Sequence, residues 1–309
     1  MAAGMDGHHR RSSPTGGAGL AAAAMAALVG TGLVCGVLPG TDLAASEARA
    51  ADSGWVAGPN SAARLIAGGV NGDDSALRAG LELRLDPGWK TYWRYPGDAG
   101  MPPRFDFSRS TNVRSVEVGW PAPRRFESGG GVSIGYGGAV VFPLTIHPRD
   151  PARPAVLAVD LSYAVCGTLC IPAEAALSLP VSPQVHLAAV AGAGAGGLLH
   201  AHDVRVPRRA ALGAAGGLAI ARVAVDRSTK PWRVRVDARA APQAELFVEG
   251  PTADWALPVP GAGVPAAEGL LRFEFDLDGV PAGADPAGAR LTFTLVSGEG
   301  AVETTAPLD

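Results

Sequence analysis

Leu157-Ala158-Val159-Asp160-Leu161-Ser162-Tyr163-Ala164-Val165-Cys166-Gly167-Thr168-Leu169-Cys170-Ile171-Pro172-Ala173-Glu174-Ala175-Ala176-Leu177-Ser178-Leu179-Pro180 carries one alternating pattern, interrupted once. Before the break, Leu157, Val159, Leu161 and Tyr163 alternate with Ala158, Asp160 and Ser162. After it, Ala175, Leu177 and Leu179 alternate with Ala176 and Ser178. Period-two alternation on both sides of a short interruption predicts two strands joined as a hairpin. Cys166 and Cys170, three residues apart, then fall at or near its tip. Gly167 relaxes the backbone there, and Pro172 is expected to keep the ladder from closing too early. A thiol pair on an accessible tip reads as a reactive site.

Outward from the hairpin the same signal recurs. Ala62 to Ile66 reads as a first strand. Ala79, Leu81, Leu83 and Leu85 alternate with Gly80, Glu82, Arg84 and Asp86, and Asp86-Pro87-Gly88 turns the chain. Trp89 to Trp93 is the aromatic-richest point and is expected to lay its large rings into a core. Tyr95 to Gly100 reads as a loop. Val116, Val118 and Trp120 form another strand, and Ser128 to Gly138 reads as a Gly-rich loop carrying Ile134 and Tyr136. Val140, Phe142, Leu144 and Ile146 follow, with Pro143 pointing to an edge or a bulge. Three further alternating runs, Trp232 to Ala238, Leu271 to Leu277 and Leu291 to Leu295, lie beyond an Ala/Gly-rich connection. The expectation is an all-β chain of two immunoglobulin-like sandwiches in series. A first domain covers 51–184, a linker 185–215, and a second sandwich 216–309. That second sandwich carries no cysteine or histidine. Its expected role is spacing, docking or support.

The chain has 309 residues, 42 Gly and 26 Pro, and a formal net charge of -3, without the clustered basic face that nucleic acid requires. The start is polar and cationic at His8 to Arg11. An Ala/Gly/Leu run over 18–38 and Ala48-Arg49-Ala50 ahead of Ala51 follow. That order predicts a secretory signal over 1–50, hence export to the periplasm. The alternative is retention as a membrane anchor through 18–38. Cleavage removes Cys35 and leaves one cysteine pair in an oxidising compartment, where a disulfide is expected.

Three readings of Cys166 and Cys170 stand side by side. One is thiol–disulfide exchange, which needs an attacking thiolate and a second thiol to resolve the mixed disulfide. The second is a bridge that merely pins the hairpin. The third is a copper(I) site, since two thiolates suit a soft cation, whereas zinc wants four ligands. His147, His186, His200 and His202 do not complete a metal site in the sequence, and no metal ligand set is assigned. Glu174, four residues past Cys170, either assists proton transfer during exchange or is a solvated strand-edge charge. No cofactor beyond the cysteine pair is expected.

Several motifs in one order resemble a known family. They are Gly88-Trp89-Lys90-Thr91-Tyr92-Trp93, Tyr95-Pro96-Gly97-Asp98-Ala99-Gly100, Trp120-Pro121-Ala122-Pro123 with Arg125-Phe126, Gly135-Tyr136-Gly137 leading into Val141-Phe142-Pro143-Leu144, and Cys166 to Glu174. Over about 62–181 the chain resembles the N-terminal periplasmic domain of the DsbD family of thiol–disulfide interchange proteins, including its ScsB-like copper-tolerance branch. The resemblance implies an immunoglobulin-like fold whose disulfide takes electrons from a membrane-embedded partner and passes them to periplasmic thioredoxin-like or isomerase clients. It implies that Cys170 attacks the client and Cys166 resolves. It makes Tyr136 the candidate residue capping the pair, the alternative being an ordinary loop aromatic packed on the sandwich. Three residues between the cysteines, rather than five, fits the ScsB-like branch. Gly135 stands where the family carries a cap aromatic. The sequence ends at Asp309 without the family's membrane conduit or thioredoxin-like domain, so the electron donor is expected on a separate chain.

Overall fold

The structure, a computed structural model, describes residues 52–70, 76–128, 131–182, 195–298 and 300–309. The expected signal or anchor over 1–50, with Cys35, and His186 lie outside them. Among the described residues no helix is long and apolar enough to cross a membrane.

The fold is all-β. The first sandwich is built from β1 (Val56–Gly58), β2 (Ser61–Val70), β3 (Leu77–Leu85), β4 (Lys90–Gly97), β5 (Arg104–Asp106), β6 (Val113–Val118), β7 (Arg124–Ser128), β8 (Gly131–Gly137), β9 (Ala139–Pro148), β10 (Ala155–Cys166) and β11 (Cys170–Val181). One sheet runs β1-β2-β3-β9-β6. The other runs β11-β10-β4-β8-β7, with β5 added on β10. Their facing sides bury Leu65, Leu81, Leu83, Phe142 and Leu144 against Trp93, Ile134, Leu157, Val159, Leu161 and Tyr163. Each such side chain stabilises the fold by about 1.5–3 kcal/mol.

The predicted hairpin is β10–β11, in register from Ala155↔Val181 to Cys166↔Cys170. Pro172 does not interrupt it. It pairs with Ala164 on β11, which is last in its sheet, so the missing N–H costs no ladder bond. The chain before Ser61 also adds a short strand, β1, paired antiparallel with β2. Pro143 lies within β9, between β3 and β6. Its carbonyl accepts from Gly119 N (2.7 Å), just past the last β6 pair, Val118↔Leu144. It therefore faces the end of β6, a local edge inside the sheet.

Helix α1 (Ala195–Asp203) follows, then β12 (Arg208–Arg209), β13 (Ala219–Asp226), β14 (Arg233–Arg239), β15 (Glu245–Glu249), β16 (Val264–Pro265), β17 (Leu271–Asp276), β18 (Arg290–Ser297) and β19 (Gly300–Pro307). The connection expected to be a bare linker is docked in its described part. Leu199 packs on Ile66 and Val141, and Arg78 pairs with Asp203. The second sandwich begins before 216, because β12 pairs in parallel with β19. Its two sheets, β12-β19-β18-β15 and β13-β14-β17-β16, enclose Val234, Val236, Phe273 and Phe275 with Leu246, Leu291, Phe293 and Leu295. The two sandwiches touch directly. Phe247 of β15 enters the core of the first and meets the Trp93 ring at 5.9 Å.

Candidate functional site

The site is the tip of β10–β11 together with the start of β4. Cys166 and Cys170 face each other in register and form a disulfide. The three-residue tip is closed by Gly167 N donating to Leu169 O (3.0 Å). The cysteines differ in access. Cys166 is 1% exposed and packs with Tyr92 and Ala164, whereas Cys170 is exposed. Leu169, beside it, is 73% exposed.

Alternation explains which residues of β4 reach the sulfurs. Trp93 is fully buried in the core, so Tyr92 must face the other side of the sheet. There its phenol lies 2.9 Å from Cys166 Sγ and 3.3 Å from Cys170 Sγ. Disulfide sulfurs carry no hydrogen, so the tyrosine O–H is the donor. Burial raises the Tyr92 phenol, which keeps that proton in place at neutral pH. Thr91 Oγ1 donates to Ala164 O (2.8 Å), tying β4 to the hairpin. The Trp89 indole lies against Gly167, where a Cβ would sit 3.3 Å from the ring. Lys90 pairs with Cys166 in register, but its ammonium reaches Ser133 Oγ (3.2 Å) and the Phe126 ring (5.5 Å) instead. Burial lowers the Lys90 ammonium.

Tyr136 is not the residue over the pair. The stretch expected to be a Gly-rich cap loop is strand β8, and its register Tyr92↔Gly135 and Thr91↔Tyr136 turns the Tyr136 ring inward. Its hydroxyl donates to Pro121 O (2.8 Å), its ring meets Phe142 edge-on at 5.5 Å, and burial pushes its phenol far up. The ring is packed in the core of the first sandwich. Gly135 is a glycine because a Cβ there would run into the Thr91 carbonyl. Glu174 is exposed on β11 opposite Ser162, four register positions from the tip and roughly 13 Å along the strand. That is too far for direct proton transfer to either sulfur. Among the described residues no group of three or more His, Cys, Asp or Glu could hold a metal ion. His147 pairs with Glu117 (3.3 Å), His200 is exposed, and His202, in the last turn of α1, is buried.

Sequence reading missed Tyr92, taking it as one of several core rings. The signal was present: Tyr92 and Trp93 are neighbours in a strand, so their rings must face opposite sides of the sheet.

Residues 60–182 match the family model described as thiol:disulfide interchange protein DsbD, N-terminal. The structure is similar to the crystal structure of the N-terminal periplasmic domain of ScsB from Proteus mirabilis. The two share 22% identity and a TM-score of 0.61, over 84% of this chain and 98% of that one. That span is longer than the first sandwich, so the shared fold includes part of the second. No curated protein matches the chain.

Proposed function

From the premise that residues 60–182 form a DsbD N-terminal domain, a thiol–disulfide interchange module, we propose that this protein relays reducing equivalents in the periplasm. It receives two electrons from a membrane-embedded donor on another chain. It delivers them through Cys170 and Cys166 to thioredoxin-like or isomerase clients. The observation that carries this reading is the unequal access of the two sulfurs. A protein disulfide can approach Cys170 but not Cys166. In the reduced protein the Cys170 thiolate attacks a client disulfide, forming one mixed S–S bond and releasing one client thiolate. Cys166 then attacks Cys170 Sγ, re-forms the internal disulfide and releases the second client thiolate. The Tyr92 hydroxyl, within reach of both sulfurs, donates to whichever carries negative charge.

The experiment is to trap the intermediate. With an oxidised thioredoxin-like client, Cys166→Ala should accumulate a mixed disulfide on Cys170, Cys170→Ala should form none, and the double variant should lose exchange. Trapping through Cys166 instead would overturn the assignment. The potential of the pair should fall within about -120 to -270 mV, the span of exchange proteins; a value below about -300 mV would mark a structural bridge.

A further inference from the structure

Strand β4 leaves its sheet and returns to it. Its pairing with β8 runs Lys90↔Gly137, Thr91↔Tyr136, Tyr92↔Gly135, and resumes only at Gly97↔Ser133. The residues from Trp93 to Pro96 thus stand opposite the single residue Ile134, a wide bulge in the ladder. Three of them engage the second sandwich. Trp93 meets Phe247. Arg94 donates from Nε and Nη2 to Glu249 (2.8 and 2.6 Å), and from Nη2 also to Glu303. The Tyr95 hydroxyl donates to the Leu257 carbonyl.

Both limbs of this bulge lead back to the disulfide. Tyr92 immediately precedes it, with its phenol on the two sulfurs. Gly100 follows it and lies against the Tyr92 ring, where a Cβ would collide. The returning limb is fixed to β8 by Asp98 N donating to Val132 O (3.0 Å) and Val132 N donating to Asp98 Oδ2 (2.7 Å). Burial would lower the Arg94 guanidinium, but the hydrogen bonds and charges of Glu249 and Glu303 outweigh it and hold it up, so the guanidinium stays charged.

We propose that Arg94 is a positioning residue for the disulfide: its clamp on Glu249 and Glu303 makes docking of the second sandwich fix the β4 bulge, and with it the Tyr92 phenol over the two sulfurs. This rests on the thiol–disulfide reading of the pair. Reduction by glutathione breaks the Cys166–Cys170 bond, consumes two glutathione thiols and yields one glutathione disulfide. The pair gains the two glutathione hydrogens as two thiols, and the thiol that releases its proton to solvent leaves a thiolate that accepts from the Tyr92 O–H, a bond about twice as strong as one to a neutral sulfur. A well-placed Tyr92 therefore favours the reduced form, and a displaced one favours the disulfide.

The test is the equilibrium constant of the full-length protein with glutathione, for the parent, Tyr92→Phe, Arg94→Gln, Glu249→Gln and the Tyr92→Phe/Arg94→Gln double variant. Loss of a hydrogen bond to a charged group predicts a shift toward the disulfide of about tenfold for Tyr92→Phe. Arg94→Gln and Glu249→Gln should shift it the same way, by a factor of about three each, as partial losses of that bond. The double variant should move no further than Tyr92→Phe alone. An unmoved constant in Arg94→Gln, even with a lowered melting temperature, would overturn the proposal, as would full additivity with Tyr92→Phe. Should Arg94→Gln fail to fold, Glu249→Gln reads the same clamp from the other side. Failure of the relay reading would show separately, as absent exchange with clients, because the glutathione equilibrium needs no client.

Discussion

Strand alternation puts Tyr92 and Tyr136 on opposite faces of their sheet, whereas Cys166 and Cys170 are cross-strand partners that differ in burial. Cys166 is buried beside Tyr92 while Cys170 faces solvent, and the proposed resolving and attacking roles rest on that difference. Tyr92 and Tyr136 differ in partner as well as in face. The first meets sulfur, and the second hydrogen-bonds Pro121 within the core. Tyr136→Phe should therefore cost about 1 kcal/mol of stability, the worth of one buried hydrogen bond. It should leave the rate at which dithiothreitol reduces the disulfide unchanged. Urea denaturation and a reduction time course check the two halves, and a faster reduction would restore Tyr136 as a shield. The sequence made the cysteine pair legible because spacing and flanking alternation are local. It hid the tyrosine roles, because choosing between Tyr92 and Tyr136 requires knowing that β4 pairs with both β8 and β10.

At the scale of elements, the long alternating strands were readable and the glycine-rich and docked ones were not. The β10–β11 hairpin has a polar outer face and an apolar inner one, so its period of two is unmistakable. Strand β8 looks like loop because three of its outward residues, Gly131, Gly135 and Gly137, are glycines; close approach of β4 demands that at Gly135. Helix α1 was read as connection because Ala and Gly dominate it, and its hold on the first sandwich comes from a few residues. Leu199 fills a niche between Ile66 and Val141, and Val141 N–H donates to His202 Nδ1 (3.4 Å). Burial first, then nearby Arg205, lowers the His202 imidazole from 6.5, against smaller opposite effects of Glu82 and Asp203. A folded value below the unfolded one means the contribution is complete above about pH 6.5 and is lost as pH falls through the folded value. Protonation also removes the acceptor that Val141 uses. Melting temperatures between pH 8 and 5 should thus fall more steeply for the parent than for His202→Gln, whose amide oxygen can still accept. Parallel curves would show that α1 docking does not depend on this proton.

Among the described residues two sandwiches lie in contact, and the contact is apolar at its centre and charged at its rim. Phe247 belongs to β15 of the second sandwich yet is fully buried among core residues of the first. Around it, Arg94 binds Glu249 and Glu303, Arg125 approaches Glu245 (3.3 Å) and Pro260 O (2.8 Å), and Ala122 N donates to Arg205 O (2.7 Å). The partly exposed ion pairs contribute little each, on the order of 0–1 kcal/mol. The buried ring dominates, since removing a buried phenylalanine costs about 3–5 kcal/mol. A loss of that size in one interface does more than lower stability. Each sandwich has its own core, so the interface is what makes them unfold together. The parent should unfold in urea in one transition, followed by tryptophan fluorescence and far-ultraviolet circular dichroism. Phe247→Ala should split the transition in two, with the first sandwich, which contains Trp93, melting at lower urea than in the parent. The split should also bring the same direction of redox shift expected for Arg94→Gln, because both changes release the β4 bulge. A single transition merely moved to lower urea would mean that the charged rim holds the sandwiches together without the ring.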